Sequence, residues 1–199
     1  MIKLYGVSLS GHTHRVRLFL SLLGLPYSEI PVDLAKGEHK RPEFLALNPF
    51  GQVPVLDDDG LILSDSTAIL VYLAGKYADQ GWWPRDVVTQ AQIQRWLSAA
   101  SGPIYNGPNC ARLVKVFKRD LDLERAKSIA HQFFAVLESH LAERKFLVGG
   151  GPTIADIATY SYIAVAPEGE VSLEPYPNIR AWLGRIEGLS GFLAMPRAA

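Results

Sequence analysis

The sequence predicts an α/β unit followed by an all-helical unit. Strand-like and helix-like segments alternate through the first part of the chain. Strand signals stop after Asp79-Gln80-Gly81, and only helical spacing continues from there. A length of 199 residues, at roughly 150 per domain, suits one large domain or two small ones. The units are expected at residues 1–79 and 86–199.

The first strand is the short apolar run Ile2–Val7, broken by Ser8-Leu9-Ser10-Gly11. From His12 the period becomes helical, with Val16, Phe19, Leu20 and Leu23 at i, i+3, i+4 and i+7. Gly24 and Pro26 stop that helix. A second strand covers Tyr27–Asp33. A polar stretch and Pro42 then lead into a short helix around Glu43–Leu47. Asn48-Pro49-Phe50-Gly51 reads as a turn. Val53–Leu56 and Leu61–Leu63 read as two strands joined by Asp57-Asp58-Asp59-Gly60. Ser64 is expected to start the next helix, which carries Leu70, Leu73, Ala74 and Tyr77 on one face.

Beyond residue 81, Val87–Ala100 is predicted helical through Ile93, Trp96 and Leu97. Gly102-Pro103 and Gly107-Pro108 should kink or break the chain before a segment reaching Phe117. Leu121–Leu141 gives the clearest helical period, and Thr153–Val165 and Asn178–Ile186 give two further helices. Thr153 and Asp156 form the Thr-x-x-Asp pattern of a capping box, a stabilising role rather than a chemical one.

Hydrophobic residues make up 48% of the chain and charged residues 20%, a globular balance. Twenty basic residues match twenty acidic ones, so no basic excess points to nucleic acid or an anionic membrane. The single cysteine, Cys110, excludes an internal disulfide and a zinc cluster built on several thiolates. No leader pattern opens the chain, and apolar stretches such as Ala68–Ala74 fall far short of the roughly 20 residues that span a bilayer. The expectation is a soluble cytoplasmic protein with no metal.

Four segments, in order, resemble the glutathione transferase family, serine-dependent (theta-like or related bacterial) class. Asn48-Pro49-Phe50-Gly51-Gln52-Val53-Pro54-Val55-Leu56 is similar to that family's loop ending in a cis-proline. Ser64-Asp65-Ser66-Thr67-Ala68-Ile69 is similar to its acid-Ser-x-Ala-Ile segment. Thr153-Ile154-Ala155-Asp156 is similar to its helical-domain capping box, and Ser8-Leu9-Ser10-Gly11 lies where its thiol-activating residue stands. The resemblance implies a thioredoxin-like N-terminal domain, an all-α C-terminal domain with the second-substrate site, and glutathione as co-substrate. It also implies conjugation to a small apolar electrophile and a homodimer, with Phe50 as a candidate anchor. A non-catalytic binding or docking module of the same fold is the alternative.

The chemistry such an enzyme needs is modest. A free thiol with a pKa of about 8.5 is only about 3% thiolate at pH 7. Lowering that pKa by two units takes about 2.7 kcal/mol. One hydrogen bond to a charged group gives about 1.5–3 kcal/mol, and a helix N-terminus adds about 0.3–1. Ser10, between the first strand and first helix, suits that role, although serine is also a common N-cap. Ser8 and Tyr5 are the competing thiol activators. The resemblance further implies that Ser66 holds the γ-glutamyl carboxylate, with Asp65 balancing the ligand ammonium. The Val53 backbone would bond the cysteinyl unit, and Gln52 and His39 would reach the glycyl end. His12 and His14 are expected to be solvated helix residues, and Tyr105 and Asn106 are candidates for the second-substrate cleft.

Overall fold

In the computed structural model, which describes residues 1–198, four strands form one mixed sheet. They are β1 (Ile2–Gly6), β2 (Tyr27–Pro31), β3 (Val55–Asp58) and β4 (Leu61–Ser64), in the order β2-β1-β3-β4. The connection from β1 to β2 passes through α1 (Gly11–Leu22), so those strands run parallel. β3 lies antiparallel to both β1 and β4. The register sets Tyr5 opposite Val55, Val55 opposite Ser64, and Gly6 opposite Pro31. The C-terminal ends of β1, β2 and β4 therefore meet the start of β3 at one end of the sheet.

Strand β3 begins two residues later than expected because Pro54 has no N–H for the ladder. The Val53–Pro54 peptide is cis, as the resemblance implied. The β3–β4 turn is tighter than expected, with only Asp59 and Gly60 at positive φ (51° and 93°). The short helix α2 (Pro42–Leu45) starts at its proline, where the missing N–H costs nothing.

Helix α3 (Ser66–Tyr77) corrects one expectation: its N-cap is Asp65, while Ser64 ends β4. The Asp65 carboxylate accepts hydrogen bonds from the Thr67 and Ala68 amides at 2.8 and 3.0 Å. Ser64 stays in the β3–β4 ladder opposite Val55.

The second unit consists of α4 (Val87–Ser101), α5 (Cys110–Phe117), α6 (Leu123–Leu141), α7 (Ile154–Ala164) and α8 (Pro177–Glu187). Gly102 ends α4 in a non-helical conformation (φ −101°, ψ −103°), whereas Gly107-Pro108 lies inside a helical stretch. Tyr105–Asn109 forms a π-helical stretch that runs directly into α5. Gly107 lets that stretch approach α6, since a Cβ there would lie 2.8 Å from the Ala130 nitrogen. Residues Ile154–Ile163 are all buried, placing α7 at the centre of the unit. Its capping box forms as expected, with Asp156 also accepting from the Leu147 amide and the Trp182 indole.

One hydrophobic core runs through both units. Val16, Phe19, Leu70 and Leu73 of the first join Ile93, Trp96, Ile157 and Trp182 of the second. A smaller cluster of Val32, Phe44 and Val55 covers the other side, with Tyr5 and Ile62 against it. No helix among the described residues is long and apolar enough to cross a membrane.

Candidate functional site

The sheet end where β1, β2 and β4 finish and β3 starts brings four separated segments together. They are the turn before α1, the loop after β2, the cis-proline loop and the N-terminus of α3. Each follows or precedes a strand whose register has just been given, so the sheet positions them all. Two helix N-termini with unpaired backbone N–H groups adjoin this end, an arrangement that favours anions.

Ser10 is the N-cap of α1: its Oγ accepts the Thr13 amide at 3.3 Å. Gly11 follows because the Tyr162 ring of α7 occupies the space a side chain would need; a Cβ there would lie 2.6 Å from it. Burial holds the Tyr162 phenol above its ordinary pKa, with the Arg15 charge, the His12 backbone, the Arg112 charge and last the Ser10 hydroxyl acting against the rise. Ser8 is exposed, and Tyr5 packs against the smaller core cluster.

Ser66 is buried at the first turn of α3, and its Oγ accepts a hydrogen bond from Arg15 Nη1 at 3.1 Å. Asp65 beside it has φ +69°, a conformation uncommon for a residue with a side chain and found where a site imposes it. Burial would raise the Asp65 pKa, but hydrogen bonds from Thr67 and Ala68 lower it overall. The carboxylate is thus held ionised with Oδ1 committed to capping.

In the cis-proline loop, Asn48 is buried and donates from Nδ2 to the Gln52 carbonyl at 2.8 Å. Gly51 has φ +58°, and a Cβ there would lie 2.7 Å from the His39 carbonyl oxygen. The His39 backbone therefore packs against Gly51, and the His39 Nδ1 is buried and unpaired. Lys40 Nζ donates to the carbonyls of Phe50 and Gly51, both at 3.3 Å. Sequence reasoning passed over that cation.

The histidines correct another expectation. His14 is fully buried: Nε2 faces the Leu193 carbonyl at 2.8 Å and Nδ1 faces Ser161 Oγ at 2.9 Å. The His12 ring lies 5.1 Å from that of Tyr162 and 5.9 Å from that of Tyr105. Burial, reinforced by the Arg15 charge, pushes the His12 pKa down to about 3. Burial also takes His14 to about 4. Neither histidine is a solvated surface group, because the helical unit closes over this face of α1. No group of three or more metal-ligating side chains converges among the described residues.

The helical unit also reaches the Ser10 turn. Arg112 of α5 is buried; its Nη1 donates to the Leu9 carbonyl at 2.8 Å and its Nε to Glu168 Oε2 at 2.6 Å. Gly169 permits this approach, since a Cβ there would lie 2.7 Å from the Arg112 backbone nitrogen. Tyr105 and Asn106 are exposed on the π-helical stretch beside His12. Cys110 is half-buried, its thiol pushed up by burial, which suits a packing role rather than a nucleophile.

Two stretches of the chain match known family models. Residues 9–76 match the family described as "Glutathione S-transferase, N-terminal domain", and residues 120–185 match "Glutathione S-transferase, C-terminal domain". The chain is 36% identical to "Glutathione S-transferase 3" of Zea mays, over 96% of this chain and 91% of that protein. It is 33% identical to "Glutathione S-transferase theta-2B" of Homo sapiens, over 88% of this chain and 76% of that protein. A solved glutathione S-transferase from Pseudomonas fluorescens superposes with a TM-score of 0.92 and 33% identity, covering 98% of this chain and 99% of that one.

Proposed function

Because the chain belongs to the glutathione transferase family and is a glutathione transferase of thioredoxin-like fold, we propose that Ser10 activates the glutathione thiol and that His39, Gln52, Val53, Asp65 and Ser66 hold the tripeptide. The observation that carries this reading is the convergence of those segments on one end of the sheet. The dependence of the relatives' named activity on glutathione favours an enzyme over a non-catalytic module of the same fold.

The roles follow from hydrogen-bond direction. Ser10 Oγ accepts the Thr13 amide, and its hydroxyl proton is the donor it can offer to sulfur. That bond stabilises the thiolate more than the thiol and lowers the thiol pKa at the start of α1. The thiolate then attacks an electrophilic carbon: a C–S bond forms and the leaving group departs with its electron pair. Ser66, through its hydroxyl and its own backbone N–H, suits the γ-glutamyl carboxylate, and Asp65 suits the ammonium beside it. The backbone N–H and C=O of Val53 make no hydrogen bond within the described chain, which leaves them for strand-like pairing with the cysteinyl unit. His39, Gln52 and Lys40 stand where the glycyl carboxylate would lie, Lys40 supplying a countercharge.

Tyr105 and Asn106 would face a small apolar electrophile, and the functional units are residues 1–79 and 86–199. The protein is proposed to be cytoplasmic and homodimeric, with no nucleic-acid or membrane partner and no metal. The test is the ultraviolet absorbance of bound thiolate against pH in wild type, Ser10→Ala, Ser8→Ala and Tyr5→Phe. Only the Ser10 variant should shift the curve to higher pH. A shift in another variant, with Ser10→Ala unmoved, would reassign the activator.

A further inference from the structure

Arg15 is a buried charge with no carboxylate at ion-pair distance, and the Asp65 charge acts on it only from farther off. Its side chain is 0% exposed, and none of the ion pairs among the described residues includes it. Nη1 donates to His12 Nδ1 at 2.9 Å and to Ser66 Oγ at 3.1 Å, while Nη2 donates to the Ala100 carbonyl at 3.3 Å. The guanidinium lies over the Tyr162 ring, 5.5 Å from its centroid, and Nε is buried without a partner. Burial lowers its pKa to about 10, which still leaves it charged at neutral pH. A buried cation whose direct hydrogen-bond partners are all neutral has a desolvation cost that no ion pair at contact distance offsets, so stability alone is a weak reason for it. Its place behind Ser66 suggests a different use.

The hydrogen-bond directions are fixed by chemistry. A guanidinium only donates, so both Ser66 Oγ and His12 Nδ1 must accept from it. His12 is then neutral and carries its proton on Nε2. Ser66 Oγ is also 3.4 Å from His12 Nδ1, but the lone pair of that nitrogen is already taken by Arg15 at the shorter distance. The Ser66 hydroxyl therefore keeps one proton with no acceptor of its own inside the chain.

We propose that Arg15 is a positioning residue that turns Ser66 into an outward hydrogen-bond donor for the α-carboxylate of the γ-glutamyl unit, with His12 holding the guanidinium in register. The inference rests on the reading of Ser66 given above and adds the residues that make its hydroxyl point one way. His12 also touches Tyr105 and Tyr162 of the helical unit, so the second unit fixes a donor in the first.

The experiment uses the full chain and two ligands. One is glutathione; the other is 4-aminobutanoyl-cysteinylglycine, the same molecule without the α-carboxylate. In Arg15→Met, glutathione should bind about tenfold or more weakly. The truncated ligand should change less than about twofold. Adding Arg15→Met to Ser66→Ala should cost less than about twofold beyond Ser66→Ala alone, because the arginine acts through that serine. Equal loss for both ligands, no loss for either, or full additivity with Ser66→Ala would overturn the inference. Should Arg15→Met not fold, His12→Phe carries the same comparison: selective loss for glutathione supports the proposal, and equal loss overturns it. Ser66→Ala alone with unchanged glutathione affinity would sink the reading of Ser66 itself, a result separate from any failure of Arg15.

Discussion

At the scale of single residues, two serines at helix starts do different jobs. Ser10 is both N-cap and proposed sulfur donor, so Ser10→Ala should act twice. It should lower stability by about 1 kcal/mol through the lost cap. It should also slow conjugation at neutral pH by about ten- to a hundredfold, with much of the rate returning as pH rises toward the free-thiol value. Rate–pH profiles beside a denaturant titration separate the two effects. Ser66→Ala should weaken glutathione by about 1.5–3 kcal/mol, roughly ten- to more than a hundredfold, measured by calorimetry. Stability should change little, because Asp65 supplies the cap of α3. The serines and the cis-proline loop were legible from residue type and spacing. His12, His14 and Arg15 were not, because the groups that cover them come from the other unit: Tyr162, Ser161 and Leu193. One signal was available for Arg15, which shares the apolar stripe of Leu18, Phe19 and Leu22 at i+3, i+4 and i+7. A charge inside such a stripe is buried or the stripe is misread.

At the scale of elements, the β3–β4 hairpin is tied to α3 through one carboxylate. Asp58 accepts from Tyr72 Oη at 2.6 Å and from Lys76 Nζ and Tyr77 Oη, both at 2.7 Å. Burial alone would raise the Asp58 pKa, yet these three donors bring it down from 3.8 to about 2. A depressed carboxylate contributes stability above its unfolded pKa and loses it as pH falls through the folded one. The denaturation midpoint should therefore drop between about pH 4 and pH 2 more steeply in wild type than in Asp58→Asn, and equal slopes would refute the assignment. Element types were readable from period and turn chemistry, while ends moved by a residue or two. The ends moved for local reasons: Pro54 withholds a ladder N–H, and Asp65 captures two amides that Ser64 was expected to take. The π-helical course of Tyr105–Asn109 was unreadable, because it depends on Gly107 meeting the backbone of Ala130 on α6.

At the scale of the whole molecule, the order of strands followed by helices was plain in the sequence, but the seam between units was not. Its polar members, Arg15, Arg112, His12 and His14, belong to residue types usually found in solvent. Phe50 stands 75% exposed beside the cis-proline loop, a costly place for a phenylalanine unless another surface covers it. A two-fold assembly should show twice the monomer mass in light scattering at micromolar concentration. Phe50→Glu should shift that mass toward the monomer, and an unchanged dimer in the variant would remove Phe50 from the contact. The Arg112 bond to the Leu9 carbonyl bears on a different matter, the exchange of parts between related chains. Its acceptor is main chain and survives any substitution at position 9 that keeps the turn. The donor side is specific: Arg112, Glu168 as its countercharge and Gly169 as the clearance must travel together. A chimera that takes a foreign first unit onto this helical unit keeps both halves of the contact. The reverse graft keeps it only when the incoming helices carry an arginine of their own at that spot. At this contact recombination across the linker is thus lopsided, while the Tyr162 ring still asks an incoming first unit for a glycine at position 11.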